Sequence, residues 1–355
     1  MSANEGGGNS ESEMLTFELY IKASAIDKET KGSCPICQQF FMMTCLLGEN
    51  QDNIDFRVFT VQADCPPKNF ASGWSKKYPV IMVNSGKSKL GETLDGSVYD
   101  TFEELELFFE SINRECPELK RKNAPNIAAM KVVENLYKHF NHFISGQSEK
   151  GLVGELKKLN EYLESQDTKF LVDNVLSFSD CHLLPRLQHI RVAGKAYRGF
   201  EIPTEFVYIW RYLKNAYLQE AFKSTMPSDQ DIVFHYEKKA VGPPRKGSRS
   251  AKPTLEKFTY TTDVPEGIVN GIDNTDSQQV EEVQEQEPAT ELHSEPVFVA
   301  EPYTEPELLP EPYSEYFAAD SIPGNLNDDD DEVDLPAPID APDEDEENVT
   351  DNKGE

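Results

Sequence analysis

Two cysteines, Cys34 and Cys37, enclose a proline at the start of an apolar stretch that covers residues 38–47. Upstream of this pair, residues 16–21 alternate between apolar and polar side chains, which predicts a half-buried β-strand. Proline suits the first position of a helix because its missing N–H would have no intrahelical partner there. A strand, a loop, a C-x-x-C pair and a helix in this order are typical of a thiol redox site.

Cys34 is predicted to lie at or just before the N-terminus of this helix. The positive end of the helix dipole favours a thiolate at that position and lowers the pKa of the thiol. Two other interpretations remain: the pair is half of a zinc site, or the two cysteines only help to fill a core. A four-ligand zinc site needs two further ligands, and no second C-x-x-C follows in the sequence. Cys34 and Cys37 are therefore the candidate catalytic residues, and no metal ligands are predicted.

The acidic charge of the chain is concentrated in its last third. Residues 241–355 carry 31 Asp and Glu against 6 Lys and Arg, whereas residues 1–240 carry 33 against 28. The last third also contains repeated Glu-Pro pairs, and such a composition cannot bury enough apolar surface to fold by itself. We expect a disordered tail that either binds protein partners and accepts phosphate groups or only keeps the protein soluble. The mildly acidic first part gives no indication of nucleic-acid binding.

The sequence contains no recognisable targeting segment or membrane span. Residues 1–13 are polar and glycine-rich, without the basic start and apolar stretch of a signal peptide. The longest apolar run, residues 40–47, is far shorter than the ~18 residues of a transmembrane helix. We therefore expect a cytoplasmic protein whose six cysteines are mostly reduced.

The pattern downstream of the cysteine pair predicts further strands of one sheet. Residues 54–61 alternate as a second strand, and two strands joined by a helix form a βαβ unit with a right-handed crossover. A third strand begins at Pro79, because a proline inside a sheet would remove a ladder hydrogen bond. The bond between Tyr78 and Pro79 is a candidate for the cis form, which X–Pro bonds can adopt. A short return strand is expected around residues 89–90.

The last element predicted for this domain is a helix over residues 101–112. Its apolar residues recur at helical spacing, and Thr101 with Glu104 matches the S/T-x-x-E pattern of a capping box. Asp100 directly precedes this cap. The resulting order, β-α-β followed by β-β-α, is that of the thioredoxin fold.

Beyond a basic linker between two prolines, the pattern becomes helical. Residues 127–144 and 152–163 are amphipathic. A third helix begins at a cap formed by Ser177 and Asp180, and residues 208–222 form a fourth, aromatic-rich stretch. The predicted divisions are a disordered N-terminus at 1–13, a thioredoxin-like domain at 14–116, a linker at 117–125, an all-helical domain at 126–240 and a disordered acidic tail at 241–355.

Three motifs within residues 14–240 match a known family. They are Cys34-Pro-x-Cys-Gln-x-x-Phe, Leu176-Ser-Phe-Ser-Asp-Cys-His-Leu-Leu-Pro-Arg-Leu and Tyr197-Arg-Gly-Phe-Glu-Ile-Pro. Together they resemble the chloride intracellular channel family, which has an omega-like fold of the glutathione transferase superfamily. The resemblance implies a thioredoxin-like domain followed by a helical domain of the glutathione transferase type, and it leaves the acidic tail uncovered.

The resemblance also implies glutathione as the cofactor of a glutaredoxin-like thiol exchange. Cys34 corresponds to the redox cysteine that forms the mixed disulfide, and Cys37 takes the resolving position. Pro79 corresponds to the cis-proline whose neighbouring backbone pairs with the cysteinyl part of glutathione. Asp100 and Thr101 correspond to the pair that holds its γ-glutamyl end. The residues that flank Pro79 depart from the family pattern of a small residue and a second proline.

The family is further associated with membranes and chloride transport, so the resemblance implies a conditional membrane surface and chloride as partners. Its proposed spanning segment corresponds to residues 37–61, which contain Glu49, Asp52, Asp55 and Arg57. Each of these charges would cost roughly 2.5–3.5 kcal/mol at the centre of a bilayer, which disfavours simple helical insertion. A third interpretation is a non-catalytic scaffold that binds partners through its acidic tail.

Overall fold

The computed structural model describes residues 14–62, 77–245 and 258–266 of the chain. Its first half contains the strands β1 (Leu15–Lys22), β2 (Ile54–Val61), β3 (Val80–Ser85) and β4 (Val98–Tyr99). They form one sheet in the order β2-β1-β3-β4, with β1 parallel to β2 and β3 antiparallel to β1 and β4. The helices of this half are α1 (Pro35–Asn50), which joins β1 to β2, and α2 (Phe102–Ile112).

The side chains of the two parallel strands explain their places in the sheet. In the inner strand β1, the alternating residues Leu15, Phe17, Leu19 and Ile21 are all buried, as the two-residue period of a strand allows. Strand β2 lies at the edge, and most of its side chains are exposed or half-buried. Polar and charged residues on an edge strand oppose pairing with another chain.

The second half is helical and is organised around one buried helix. Helix α6 has 15 of its 16 residues buried and packs on α1 of the first half and on several helices of its own half. The predicted cap of α6 is confirmed, because Ser177 and Asp180 form a complete capping box. The helices are α3 (Ala124–Val133), α4 (Leu136–Ile144), α5 (Lys150–Ser165), α6 (Phe178–Ala193), α7 (Val207–Tyr217), α8 (Glu220–Lys223) and α9 (Asp229–His235).

The predicted fold class is confirmed, a thioredoxin-like half followed by an all-helical half. The return strand expected at residues 89–90 is wrong. These residues form a turn in which the N–H of Gly91 donates to the carbonyl of Ser88 at 3.0 Å, and the fourth strand is the later β4. Gly91 has a φ of +86°, a conformation that glycine adopts without strain.

Two stretches predicted as single helices are each divided in the structure. The stretch 127–144 separates into α3 and α4 at Asn135, whose carbonyl accepts the N–H of His139 at 3.0 Å and so starts the second helix. Asparagine is a weak helix former because its side chain competes for backbone hydrogen bonds. The stretch 208–222 is divided between α7, which ends at Tyr217, and the short helix α8. The exposed Leu218 lies between the two helices.

The segment that the family resemblance associates with membranes, residues 37–61, comprises most of α1, a turn and β2. Its four charged side chains are all exposed, and β2 pairs with β1 along its whole length. In the parts of the chain that the structure describes, no helix combines the length and the apolar character needed to cross a membrane.

Two short segments of the predicted tail contact the helical half. The N–H of Arg245 donates to the carbonyl of Ala196 at 2.8 Å. Thr261 donates its N–H and its hydroxyl to the carboxylate of Asp229, at 3.0 and 2.9 Å. The ranges 241–245 and 258–266 therefore depart from the expectation of a tail without order. The predicted N-terminal segment and the rest of the tail lie outside the described residues, and the predicted domain boundaries stay predictions.

Candidate active site

One edge of the sheet gathers the ends of three strands and the starts of two helices. Strand β1 ends at Lys22, and β3 begins beside it, with Val80 paired to Tyr20. Strand β4 ends at Tyr99, which pairs with Ile81 of β3. Helices α1 and α2 start from this same edge. It therefore carries all the residues predicted from the sequence as a site, namely Cys34, Cys37, Pro79, Asp100 and Thr101.

The loop that leads from β1 to Cys34 folds back tightly on the end of the strand. The N–H of Gly32 donates to the carbonyl of Lys22 at 2.8 Å, and Ala23 forms a bridge with Lys31. A β-carbon added to Gly32 would lie only 2.4 Å from the carbonyl oxygen of Ala23. Only glycine permits this close approach of the two backbone segments. The tight loop keeps Cys34 near Lys22, the positively charged residue at the end of β1.

The same loop is also fixed by the helical half. The hydroxyl of Ser24 donates to Asp231 at 2.8 Å, and the N–H of Ala25 donates to the same carboxylate at 3.0 Å. Ser24 and Asp231 are both fully buried. The ammonium group of Lys31 donates to the carbonyl of Ser224. The two halves thus hold the loop from opposite sides and position the thiol in advance of any reaction.

Cys34 occupies the N-cap position of α1, followed by Pro35, as the sequence predicts. No side chain caps this helix with a hydrogen bond, and the thiol of Cys37 and the N–H groups of Cys37 and Ile36 lie near enough to the sulfur of Cys34 to lower its pKa. The hydrogen bond from Cys37 and the positive charge of Lys22 lower the pKa of Cys34 from 9.0, against the opposing effect of burial. The side chain of Cys34 is buried, with an exposed fraction of 8%.

Cys37 has the opposite character. Its side chain is 2% exposed, and burial raises its pKa well above the usual value, helped by the hydrogen bond to Cys34 and by the negative charge there. One thiol of the pair is therefore kept protonated while the other is kept ionised. This is the asymmetry that an attacking and a resolving cysteine require.

The bond between Tyr78 and Pro79 is cis, as the sequence analysis suggested. Tyr78 is 7% exposed, and its pKa is raised mainly by burial and further by electrostatic interaction with Cys37. Its phenol ring therefore lies close to the cysteine pair. The sequence pattern gave no indication of this neighbour, because it drew attention only to the proline.

Asp100 and Thr101 form the start of α2 through the predicted capping box. The hydroxyl of Thr101 accepts the N–H of Glu104 at 3.3 Å, and the Glu104 carboxylate accepts the N–H groups of Asp100 and Thr101 at 3.4 and 3.3 Å. Thr101 is exposed and Asp100 is half-buried. The backbone here is rigid, while both side chains remain at the surface of the sheet edge.

The site contains two cations that sequence reasoning missed. Lys22 is the last residue of β1. Its presence in the site could have been predicted from this position, because the carboxyl end of the strand faces the start of the following helix. Arg186 comes from α6 and reaches α1, where it donates to Gln39 at 3.2 Å. No local pattern in the sequence could have placed Arg186 here, since the contact joins residues far apart along the chain.

The zinc interpretation of the cysteine pair finds no further ligands nearby. Within 14–62, 77–245 and 258–266, no group of three or more His, Cys, Asp or Glu side chains is arranged to hold a metal ion. The five cysteines in these ranges are free thiols.

Comparisons with known proteins extend these observations. No protein-family model matches the chain. The chain is 33% identical over 266 residues to the chloride intracellular channel Clic of Drosophila melanogaster, covering 74% of this chain and 95% of that protein. The crystal structure of the chloride intracellular channel homologue EXC-4 from Caenorhabditis elegans is 26% identical with a TM-score of 0.61, and the match covers 74% of this chain and 99% of that one.

A third similarity concerns the fold alone. The crystal structure of a dehydroascorbate reductase from Chlamydomonas reinhardtii is 18% identical to this chain, with a TM-score of 0.51. The match covers 64% of this chain and 99% of the reductase chain. The two-part architecture is thus shared with proteins of low sequence identity.

Proposed function

Since this chain belongs to the chloride intracellular channel family, we propose that it exchanges thiols and disulfides with glutathione at Cys34. The observation that carries the proposal is the position of the Cys34 thiol at the start of α1, where the hydrogen bond from Cys37 and the charge of Lys22 lower its pKa. A thiolate, rather than a thiol, is the nucleophile in disulfide exchange.

In the first step, the thiolate of Cys34 attacks the glutathione sulfur of a mixed disulfide. The old S–S bond breaks, a new one forms between Cys34 and glutathione, and the departing thiolate takes a proton from solvent. In the second step, the thiolate of a glutathione molecule attacks the glutathione sulfur of this disulfide, which restores Cys34 and releases oxidised glutathione. Cys37 offers the alternative second step, in which its thiolate displaces glutathione and leaves a Cys34–Cys37 disulfide.

The remaining residues of the sheet edge suit the binding of glutathione. The backbone beside Pro79 would pair with the cysteinyl part of the peptide, and the carboxylate of Asp100 would bind its γ-glutamyl ammonium group. Thr101 would contribute its hydroxyl at the same end. The rigid capping box of α2 supports this assignment, because it fixes the backbone of both residues.

The test is a comparison of single cysteine variants in glutathione-dependent reduction of a small disulfide. We expect Cys34→Ser to abolish the activity, since no nucleophile remains, whereas Cys37→Ser retains part of it because glutathione can resolve the intermediate. Mass spectrometry should find glutathione disulfide-linked to Cys34 in the Cys37 variant. Equal activity of the wild type and the Cys34 variant would refute the proposal and favour the scaffold interpretation.

A second candidate function is membrane association with chloride transport. It is favoured by the 33% identity to a protein named as a chloride intracellular channel. The exposed charges on β2 are unfavourable in a bilayer, so transport would require this half to rearrange. Chloride efflux from lipid vesicles, measured with and without added protein at acid and neutral pH, tests the function directly. No efflux above the protein-free rate at either pH would exclude it.

A further inference from the structure

Arg186 brings a positive charge from the helical half to the helix that carries the thiol. Its Nη1 donates to Oε1 of Gln39 at 3.2 Å and to the carbonyl of His182 at 2.6 Å. Gln39 lies five residues after Cys34 on α1, a rise of about 7.5 Å along the helix axis. The guanidinium group also lies close enough to Cys34 for the charge of the thiolate to act on the pKa of Arg186.

No carboxylate of the described residues neutralises Arg186. Its contacts are the two oxygens above and the ring of Tyr137, whose centroid lies 5.8 Å from Cζ. Burial lowers the pKa of Arg186 to about 10, and negative charge on Tyr137 and Cys34 opposes this shift, so the side chain is cationic at neutral pH. Apart from the Cys34 thiolate, no anion of the described residues balances this half-buried cation, so a second, bound anion would be favourable beside it.

Unpartnered polar atoms occur on the two residues that Arg186 contacts, Gln39 and His182, and on the adjacent Gln38. Both amide atoms of Gln38, Nε2 of Gln39 and Nδ1 of His182 are buried and lack a hydrogen-bond partner within the described ranges. All three side chains are at least nine-tenths buried, and Gln38 follows Cys34 by one helical turn, with its N–H donating to the Cys34 carbonyl at 3.1 Å. The donors among these atoms are the Nε2 groups of Gln38 and Gln39. Buried donors without partners are unfavourable, and an oxyanion in contact with them would remove that cost.

We propose that Arg186, together with these amide groups, forms an anion subsite beside Cys34 that selects disulfides with a carboxylate close to the sulfur. This inference rests on the thiol exchange proposed above and names the class of its second substrate. The carboxylate would sit between the guanidinium and the amide donors, while the disulfide lies at Cys34. On attack, the glutathione sulfur bonds to Cys34, and the carboxylate-bearing thiolate leaves and takes a proton from solvent.

The direct test uses two alkylating reagents that differ in charge. Iodoacetate carries a carboxylate and iodoacetamide is neutral, and both react with the same thiolate. We expect Arg186→Gln to lower the ratio of the iodoacetate to the iodoacetamide rate at Cys34 at least threefold, read by mass spectrometry of the Cys34 peptide. Arg186→Lys keeps the charge and should retain most of the wild-type ratio.

The matched control is Arg211→Gln, which removes an arginine stacked at 5.3 Å on the ring of Tyr208, in α7. The ratio at Cys34 should not change in this variant. An unchanged ratio in Arg186→Gln would overturn the anion subsite. If Arg186→Gln does not fold by circular dichroism, Arg186→Met replaces it, and the same two outcomes decide.

The test also separates the subsite from the proposed reaction, because alkylation requires no glutathione. In a second assay, the protein is given mixed disulfides of glutathione with a carboxylate-bearing thiol and with a neutral thiol of equal size. We expect Arg186→Gln to lower kcat/KM only for the carboxylate-bearing disulfide. If the wild type reduces neither, the thiol exchange fails while the alkylation ratio still decides the subsite.

Discussion

Helices α1 and α6 are both 16 residues long and pack against each other, yet their N-termini are built in different ways. Helix α6 begins with a complete capping box, whereas α1 has no capping side chain and presents a sulfur in that place. Both starts are buried, with Asp180 at 0% and Cys34 at 8% exposure. The same backbone geometry therefore serves stability in one helix and reactivity in the other.

At the start of α6, the carboxylate of Asp180 accepts hydrogen bonds from several neighbouring groups. It accepts the N–H of Leu171 at 3.0 Å, the N–H of Ser177 at 2.8 Å and the hydroxyl of Tyr212 at 3.0 Å. Burial raises the pKa of Asp180, and the hydrogen bonds of Ser177, Leu171 and Tyr212 oppose this effect. A buried carboxylate with this many donors is inert and holds the helix to its neighbours.

At the start of α1, the N–H groups of Ile36 and Cys37 point to a thiol that can be ionised. A large, polarisable sulfur accepts weaker hydrogen bonds than a carboxylate, so part of its charge remains available for attack. The comparison shows that a helix start becomes reactive when its acceptor is a nucleophile that the surroundings satisfy only in part.

The largest effect is expected for Asp180→Ala. Removal of the carboxylate leaves several buried donors without partners, at about 1–3 kcal/mol each, so the free energy of unfolding should fall by about 3 kcal/mol or more. Urea denaturation followed by circular dichroism measures this loss. Cys34→Ser is the matched variant at the other helix start and should change the stability by less than about 1 kcal/mol. Comparable losses in both variants would remove the distinction between the two helix starts.

Much of this contrast could be predicted from the sequence. The cap formed by Ser177 and Asp180 and the C-x-x-C pair are short patterns whose physical meaning depends only on residues a turn apart. The order of elements in the thioredoxin fold could be predicted from strands whose apolar and polar residues alternate and from Pro79 at the start of the third strand. The short return strand was misplaced because residues 89–90 are held by a turn that depends on the conformation of Gly91.

What the sequence could not provide is contact between distant segments. Lys22 acts on Cys34 only because Gly32 lets the loop fold back on the strand. Asp231 holds Ser24 across 207 positions of the chain, and Arg186 reaches Gln39 across 147. Such contacts arise from the packing of the two halves, for which hydrophobic periodicity contains no information.

The second prediction concerns Cys37→Ala, which removes the hydrogen bond that contributes most to the low pKa of Cys34. The thiolate then loses stabilisation, so the pKa of Cys34 should rise towards 9.0. The pH dependence of iodoacetamide alkylation measures it: the midpoint should move to higher pH, and the rate at neutral pH should fall several-fold. Cys116→Ala, a buried cysteine outside the site, is the control and should leave the midpoint in place.

An unchanged midpoint in Cys37→Ala would mean that the helix start and Lys22 ionise Cys34 without help from Cys37. The contrast with α6 would then not depend on the second cysteine. The Cys37→Ser variant adds a further test. Its hydroxyl can still donate a hydrogen bond to the sulfur of Cys34, so it should restore part of the lowering of the Cys34 pKa.

The smallest effect is expected for Lys22→Gln. Lys22 lowers the pKa of Cys34 through its charge, and this contribution is smaller than that of the hydrogen bond from Cys37. The alkylation midpoint should therefore rise by less than in Cys37→Ala. Lys157→Gln on α5, which removes a lysine paired with Glu161 at the surface, is the control for a change of net charge.

Salt separates the two contributions. The effect of Lys22 is a charge interaction between a half-buried side chain and a buried thiol, so it should weaken in part as the Debye length falls from about 10 Å at 0.1 M to about 3 Å at 1 M salt. The hydrogen bond from Cys37 is buried and should persist. The difference between the midpoints of wild type and Lys22→Gln is therefore expected to shrink at 1 M salt, while the midpoint of Cys37→Ala remains as far from that of the wild type as before. If the lysine variant differs equally at both salt concentrations, Lys22 acts by holding the loop and not by its charge.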